Sequence, residues 1–391
     1  MTVLPSSDRK YRRSPPRSPL LPQKLDDDQS FDAHGSGFDG ASTSGAVFNL
    51  STTIVGAGIM GLPAAVNKLG LIPGLLTIMF VSTLTESSID MILRFSRASK
   101  SKTYSGVAAD AFGGAGSNIL QACIVINNLG MLVVYMIIIG DVLSGTSVDG
   151  FHHGGVIEEW FGQHWWTTRS ALLLFTTFFV FAPLISFKRV VLPIENELKD
   201  PTQMKSIVRK SLTLCTSVYI ATSFFGVVLF GDHTMDDVLA NFDGDLGIPY
   251  SSLLDDLVRV SYGLHLMLVF PIVFFSLRLN VDGLLFPYAI PIAFDNKRFF
   301  SVTIALMGFI LMGASFVPSI WDAFQFTGAT AAVCVGFIFP AAITLRNIPG
   351  IATKNDRLIS WMMIFLAVST STVAVTSDIY SIFYVDEGIT S

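Results

Sequence analysis

Nine apolar stretches of about 20 residues constrain this chain more than any other feature of its sequence. An α-helix needs about 20 mostly apolar residues to cross the ~30 Å hydrocarbon core of a bilayer. The stretches lie at 46–67, 71–93, 118–143, 166–187, 207–230, 257–278, 299–317, 320–344 and 358–377. Only 14% of the residues are charged, well below the share of about 25% in water-soluble domains. The sequence therefore predicts an all-α polytopic membrane protein with about nine transmembrane helices.

The apolar stretches divide the chain into three regions. Residues 1–45 are rich in Ser, Pro, Asp, Arg and Gly. Such a segment lacks the apolar side chains that a core needs, so we expect a disordered tail. Residues 46–378 form the transmembrane domain, and residues 379–391 form a second, short tail.

The basic residues predict which way the chain crosses the membrane. Of the 25 Lys and Arg residues, 22 lie in the N-terminal tail and in every second loop. Cytosolic loops carry the excess of positive charge in membrane proteins. The N-terminus is therefore predicted to be cytosolic, and with nine spans the C-terminal tail is not.

Three charged residues near the cytosolic end of the second stretch are spaced four residues apart. They are Glu86, Asp90 and Arg94. Side chains at this spacing are neighbours on one helix face. The sequence predicts that they pair along that face.

The sequence contains no motif of a soluble enzyme. Its three cysteines all lie inside apolar stretches, so no disulfide framework is expected. It has no nucleotide-binding loop, no cluster of metal ligands and no catalytic arrangement of Ser, His and Asp. We therefore predict a protein that is not an enzyme, with no catalytic residue, no cofactor, no metal site and no nucleic-acid partner. The lipid bilayer is its predicted surroundings.

Residues 55–63 interrupt the first apolar stretch with three glycines and a proline. A helix that breaks inside a membrane survives only where its backbone is buried in protein or lines a cavity. The freed amides could hold a carboxylate, and the freed carbonyls an ammonium group or a cation. Close packing of small residues against another helix is the alternative interpretation. Periodicity alone leaves both open.

Several segments together resemble the amino acid/auxin permease family, which includes neutral amino acid transporters of animals and vacuolar amino acid transporters of plants. The first covers residues 48–63, and the second is Asn-Glu-Leu-Lys-Asp-Pro-Thr at 196–202. The others lie at 270–278, which begins with Phe-Pro and ends with Arg, at 328–330 and at 337–341. They occur in the family's order and extend over nearly the whole chain after residue 45.

This resemblance implies a leucine-transporter-like inverted-repeat fold with a broken first helix, in which amino acid is bound between broken helices one and six. The implied function is secondary transport of amino acids by alternating access, within a transporter domain at 46–378. The residues implied to contact substrate are Val55, Gly56, Ala57, Gly58, Ile59 and Gly61, with Asn128 and Tyr135 from the third span. Helix packing remains the alternative role for Asn128 and Tyr135. The vacuolar membrane is the implied location, with the plasma membrane or another endomembrane as alternatives.

The chain departs from the family pattern after its fourth span. Members of the family usually have eleven spans, whereas here residue 187 runs almost directly into the segment at 196–202. The fifth and sixth family helices are therefore predicted to be missing, and the inverted-repeat fold to be incomplete. A non-transporting or regulatory splice isoform is the alternative function. Loss of an even number of spans preserves the alternation of charge downstream.

The resemblance also bears on the coupling ion. In sodium-coupled members an Asn of helix one and a hydroxyl of helix eight help to hold Na⁺. The matching positions here are Thr52 and the apolar residues 267–269, which favours a coupling proton over sodium. His265 is the second coupling candidate, because imidazole titrates near neutral pH. A hydrogen-bonded packing histidine is the favoured alternative for His265, and a sodium-coupled neutral amino acid transporter is the alternative for the protein.

Overall fold

The computed structural model describes residues 42–101, 103–148, 151–186, 203–243, 250–317 and 328–384. The predicted tail at 1–45 lies almost entirely outside these ranges. The junction that follows residue 186 and the segment at 196–202 also lie outside them. Their predictions are therefore untested.

The described chain is helical apart from one short hairpin. Its helices are α1 (Thr43–Ile54), α2 (Gly58–Leu69), α3 (Leu71–Ser99), α4 (Tyr104–Ser144), α5 (Val156–Phe161), α6 (Arg169–Ser186), α7 (Met204–Phe230), α8 (Ser251–Leu285), α9 (Asn296–Phe316), α10 (Thr330–Arg346) and α11 (Lys354–Tyr384). The antiparallel strands β1 (Gly145–Val148) and β2 (Phe151–Gly154) pair Gly145 with Gly154. The all-α class is confirmed, and the hairpin is an addition that the sequence analysis did not foresee.

The long helices coincide with the predicted apolar stretches. Within the described residues, seven helices are long and apolar enough to cross a membrane, and the bent pair α1 and α2 supplies an eighth. The shorter apolar helix α10 lies where the stretch at 320–344 was predicted. A polytopic membrane protein is thus confirmed, and the count of nine stays a prediction.

Helix α4 extends the third predicted span toward the N-terminus. It starts at Tyr104, where the Thr103 hydroxyl accepts from the Gly106 amide at 3.1 Å. Gly113 interrupts it with a φ of +73°, a conformation open to glycine because it has no Cβ. The predicted span at 118–143 lies entirely in the helical segment that follows this kink.

The core next to the first span is formed by α4, α6 and α8. Tyr135, Phe270 and Phe274 are fully buried there, and the rings of Phe181 and Phe270 stack with centroids 4.0 Å apart. Offset aromatic stacking adds to the stabilisation from burial itself. These three helices form a tightly packed core beside the break in the first span.

Arg278, the predicted end of the 270–278 segment, ties three helices together. Its buried side chain donates to the Ile185 carbonyl of α6 at 3.0 Å and to the Thr303 hydroxyl of α9 at 3.1 Å. The guanidinium also lies 4.0 Å from the centroid of the Phe299 ring. A planar cation suits both kinds of contact. Arg278 therefore fixes the last turn of α6, beyond which the chain enters the undescribed junction.

The second half of the first span is held at close range by its neighbours. A Cβ at Gly226 of α7 would lie 2.9 Å from Cβ of Pro63, and a Cβ at Gly74 of α3 would lie 2.9 Å from Cα of Val66. Only glycine allows helices to approach this closely. The glycines that allow these contacts belong to α7 and α3. Of the glycines in the 55–63 run, Gly56 meets the Tyr135 hydroxyl and Gly58 faces open space.

The charged residues near the end of α3 pair mostly with other helices. Asp90 and Arg94 pair along α3 at 3.0 Å, as predicted. Glu86 instead contacts Arg209 of α7 at 2.6 Å, and Arg94 donates to both oxygens of Asp356 of α11 at 2.8 and 3.0 Å. The prediction of pairing along one face was therefore wrong for Glu86. The bidentate pair joins α3 to α11.

Candidate functional site

The first span is broken at residues 55–57. Helix α1 ends at Ile54, α2 begins at Gly58, and their axes differ by 63°. Gly56 and Ala57 are buried, whereas Gly58 is exposed and a Cβ there would meet no heavy atom within 4 Å. The predicted break is confirmed, and it is open on the side of Gly58.

The break exposes three consecutive carbonyl groups that regular helix would have used. Each of them accepts a hydrogen bond from a side chain on another helix. The bonds run from Tyr219 Oη to Ile54 O at 2.9 Å, from His265 Nε2 to Val55 O at 2.8 Å and from Tyr262 Oη to Gly56 O at 2.9 Å. Unpaired backbone carbonyls are costly away from water, so these donors stabilise the broken conformation.

The bond from His265 fixes where its proton lies. A carbonyl oxygen can only accept, so Nε2 of His265 carries a hydrogen. In the neutral ring Nδ1 is then the acceptor, and a second proton would bind there. Tyr262 and His265 are three residues apart on one face of α8, so this face presents both donors to the break. The favoured interpretation of His265 as a hydrogen-bonded histidine agrees with this contact, and the contact also places it at the predicted site.

Tyr135 of α4 lies against the same break. Its side chain is only 1% exposed, and a Cβ at Gly56 would lie 2.5 Å from its hydroxyl oxygen. The structure therefore brings Tyr135 and Gly56 together, as the predicted site requires. Any side chain at residue 56 would have to displace the hydroxyl of Tyr135.

Asn128 lies elsewhere on α4. Its side-chain nitrogen Nδ2 donates to the hydroxyl of Ser276 in α8 at 3.1 Å. The side-chain nitrogen of Asn127 lies 3.5 Å from the side-chain oxygen of Asn128. Among the described residues, no side-chain hydrogen bond joins Asn128 to residues 55–61. This geometry favours helix packing, the alternative role for Asn128, and a substrate contact stays a prediction.

Thr52 lies in the last turns of α1, before the break. Its hydroxyl donates to the carbonyls of Phe48 and Asn49 of the same helix, both at 3.0 Å. The hydroxyl therefore satisfies its donor locally. The role of Thr52 in coupling stays a prediction.

A layer of charged side chains covers the end of the bundle that carries the hairpin. Arg169 of α6 contacts Asp141 of α4 at 2.8 Å, and Arg259 of α8 contacts Glu159 of α5 at 3.2 Å. Asp237 lies near this end, in the loop between α7 and α8. Burial raises the pKa of its carboxyl to about 6, although the Leu239 amide and the charge of Arg259 oppose the shift. Buried charges at a span end need such partners. At this end of the bundle, ion pairs therefore join α4 to α6 and α5 to α8.

Tyr219 and Tyr262 lie in predicted spans but were not among the predicted site residues. A tyrosine hydroxyl in an apolar helix needs a hydrogen-bond partner, just as an asparagine does. That requirement marks both residues as candidates, but it does not reveal that their partner is the first span. Within the described ranges, no three His, Cys, Asp or Glu residues lie together as metal ligands would.

The sequence matches one protein family over most of its length. The family is described as "Transmembrane amino acid transporter protein", and the matched stretches are 39–189 and 151–383. Amino acid transporter AVT6A of Arabidopsis thaliana is 48% identical over 434 aligned positions, which cover 94% of this chain and 94% of that protein. Amino acid transporter AVT6B of the same plant is 47% identical, again over 94% of this chain and 95% of that protein. A distant relative, solute carrier family 38 member 10 of Rattus norvegicus, is 26% identical over 86% of this chain and 36% of that protein.

The length of the alignment with AVT6A bears on the predicted missing helices. Ninety-four per cent of 391 residues is about 368 residues, so about 66 of the 434 positions face a gap in this chain. Two spans of about 20 residues with their loops need about that many. The family match is also split into two stretches, the first of which ends at residue 189, beside the predicted junction. Because the family match extends over most of the sequence and AVT6A shares nearly half of its residues, this chain belongs to the transmembrane amino acid transporter protein family.

Proposed function

We propose that this protein is a secondary active transporter that moves amino acids by alternating access, and not an enzyme. Family membership and the likeness to the amino acid transporters AVT6A and AVT6B support the substrate class. The row of three carbonyls at the break carries the proposal. A broken span inside a packed bundle is the arrangement in which membrane proteins bind charged substrates at the centre of the bilayer.

The break suits both charges of an amino acid. A backbone carbonyl at the break that keeps a free lone pair attracts an α-ammonium group, while the first amides of α2 and the positive end of its dipole favour the α-carboxylate. Gly58 leaves open space beside these groups. The proposed substrate contacts are Val55, Gly56, Ala57, Gly58, Ile59, Gly61 and Tyr135, with Asn128 as the outlying member.

We propose a proton as the coupling ion. Na⁺ prefers several oxygen ligands. The side chains of residues 267–269 are Met, Leu and Val, which offer no oxygen, and the Thr52 hydroxyl is engaged by its own helix. His265 contacts the break directly and has a nitrogen that can take up a second proton. Thr52 and His265 are therefore the coupling candidates.

The proposed location is the vacuolar membrane, with the N-terminus in the cytosol. Resemblance to vacuolar transporters of plants supports the membrane, and the positions of the basic residues support the orientation. Fluorescent tagging with a marker for the vacuolar membrane tests the location. A signal confined to the plasma membrane would reject it.

The coupling proposal is tested by uptake into proteoliposomes. The purified chain is reconstituted, and labelled neutral, acidic and basic amino acids are supplied with either a pH gradient or a sodium gradient. We expect the pH gradient to drive accumulation at least threefold above the level without a gradient, and the sodium gradient to have no effect. Accumulation that follows sodium and ignores pH would contradict the proton assignment and restore the sodium-coupled alternative.

One observation favours a second candidate function. This chain faces a gap at about 66 positions of the alignment with AVT6A, about as many as two spans with their loops would fill. The sixth family helix, one of the two predicted to be missing, is implied to face the first across the substrate. A chain without them could be a non-transporting or regulatory isoform. Inserting the corresponding segment of AVT6A after residue 187 separates the two functions. Transport that appears only in the chimera would establish the isoform.

A further inference from the structure

The three carbonyls at the break differ in how many hydrogen bonds they already accept. Each carbonyl oxygen has two lone pairs. Ile54 O accepts from the Gly56 amide at 2.8 Å and from Tyr219, and Gly56 O accepts from the Ile59 amide at 3.4 Å and from Tyr262. Both of these oxygens are therefore filled.

Val55 O is in a different position. Within the described residues its hydrogen-bond partner is His265 Nε2, and no backbone amide donates to it. One lone pair of this oxygen is left for another donor. The row of three carbonyls thus presents one open acceptor, with a filled acceptor on each side.

The two tyrosines reach the row from different helices. Tyr219 lies on α7, whose neighbour Gly226 packs against Pro63 beyond the break, and Tyr262 lies on α8 beside His265. Each tyrosine hydroxyl therefore joins one edge of the break to another helix, and α7 also packs against both halves of the first span. Two such anchors fix the direction of the carbonyl between them, because neighbouring peptide planes share a Cα.

We propose that Tyr219 and Tyr262 are positioning residues that fill Ile54 O and Gly56 O and thereby leave Val55 O as the single acceptor for the α-ammonium group of the substrate. This inference rests on the proposed transport function. It assigns the tyrosines no contact with substrate. They act through the backbone that they hold.

The test uses phenylalanine variants that remove only the hydroxyl. Tyr219→Phe and Tyr262→Phe are compared with Tyr104→Phe, whose hydroxyl donates to the Val335 carbonyl at 2.8 Å, far along α4 from the break. All three lose one hydrogen bond of the same kind from a partly buried tyrosine. We expect KM for uptake to rise threefold to tenfold in the first two, the range that one hydrogen bond provides, and the maximal rate to stay within about twofold. Tyr104→Phe should leave KM unchanged.

A second measurement does not depend on transport. Deuterium exchange of the amides of Gly56 and Ile59, which share their acceptors with the two tyrosines, should become faster in Tyr219→Phe and Tyr262→Phe and stay unchanged in Tyr104→Phe. Equal exchange in all three variants and wild type would overturn the positioning role. So would a KM for the first two that matches Tyr104→Phe. Faster exchange together with a wild type that takes up nothing supports the positioning role and rejects the proposed transport function.

Discussion

Replacement of Gly56 by alanine is expected to reduce amino acid uptake about a hundredfold while the protein still folds and inserts. The new Cβ would lie 2.5 Å from the hydroxyl oxygen of Tyr135, a residue that is fully buried and cannot swing into open space. Either the tyrosine or the break must move, and a shift of about 1 Å at a binding site costs about that factor. Uptake into proteoliposomes measures the effect. Gly308→Ala in α9, where a Cβ would meet nothing within 4 Å, is the matched control.

A double variant shows whether this contact is the cause. With Tyr135→Phe the hydroxyl is gone, and the nearest atom to the Cβ at residue 56 becomes the ring carbon Cζ at 3.5 Å, an ordinary contact. Gly56→Ala with Tyr135→Phe should therefore recover uptake to within about tenfold of Tyr135→Phe alone. A double variant as inactive as Gly56→Ala would show that the loss has another origin. Strong coupling is expected of residues in direct contact.

Replacement of His265 by glutamine is expected to abolish accumulation driven by a pH gradient. The amide nitrogen of glutamine can take the place of Nε2 and donate to Val55 O, but the side chain does not titrate. Exchange of labelled for unlabelled amino acid needs the site and no net proton movement, so it should stay within about threefold of wild type. Accumulation under the pH gradient should fall at least tenfold.

His265→Leu is the companion variant, because it removes both the donor and the titrating group. We expect it to lose exchange as well as accumulation, since Val55 O is then left without its partner. If His265→Gln accumulates amino acid as the wild type does, the imidazole is a packing group. The proton is then carried elsewhere.

The break and the spans could be predicted because their signals are local. Runs of about 20 apolar residues mark helices in a membrane, and the glycines and proline at 55–63 mark an interruption within one of them. The apolar run at 118–143 also marked the third span, whereas the helical segment between Tyr104 and the kink at Gly113 was not predicted.

The partners of the break could not be predicted, because they depend on packing between distant segments. Tyr219, Tyr262 and His265 lie more than 160 residues after the carbonyls that they contact, and only the folded bundle brings these side chains to the break. Asn128 shows the reverse case. Its polarity predicted a hydrogen-bond partner inside the bundle, and its amide joins α4 to α8 through Ser276, while its substrate contact stays a prediction.

The predicted loss of two helices concerns function more than topology. Seven long helices and the bent pair are present in the described chain, and loss of an even number of spans keeps the orientation of those that follow. Substrate release and closure involve the helix that faces the first span in the implied inverted repeat. The function of this chain therefore depends on whether the break in the first span can bind and release the substrate without the sixth family helix.

Uptake by the 391-residue chain itself tests this account most directly. The protein is reconstituted into liposomes with an inside-acid or inside-alkaline pH gradient, with AVT6A in the same lipids as the reference and Gly56→Ala as the negative control. The account predicts uptake of at least one amino acid above empty liposomes under one of the gradients, and loss of that uptake in Gly56→Ala. Uptake equal to that of empty liposomes would contradict it, provided that the 391-residue chain remains folded and that AVT6A in the same lipids is active.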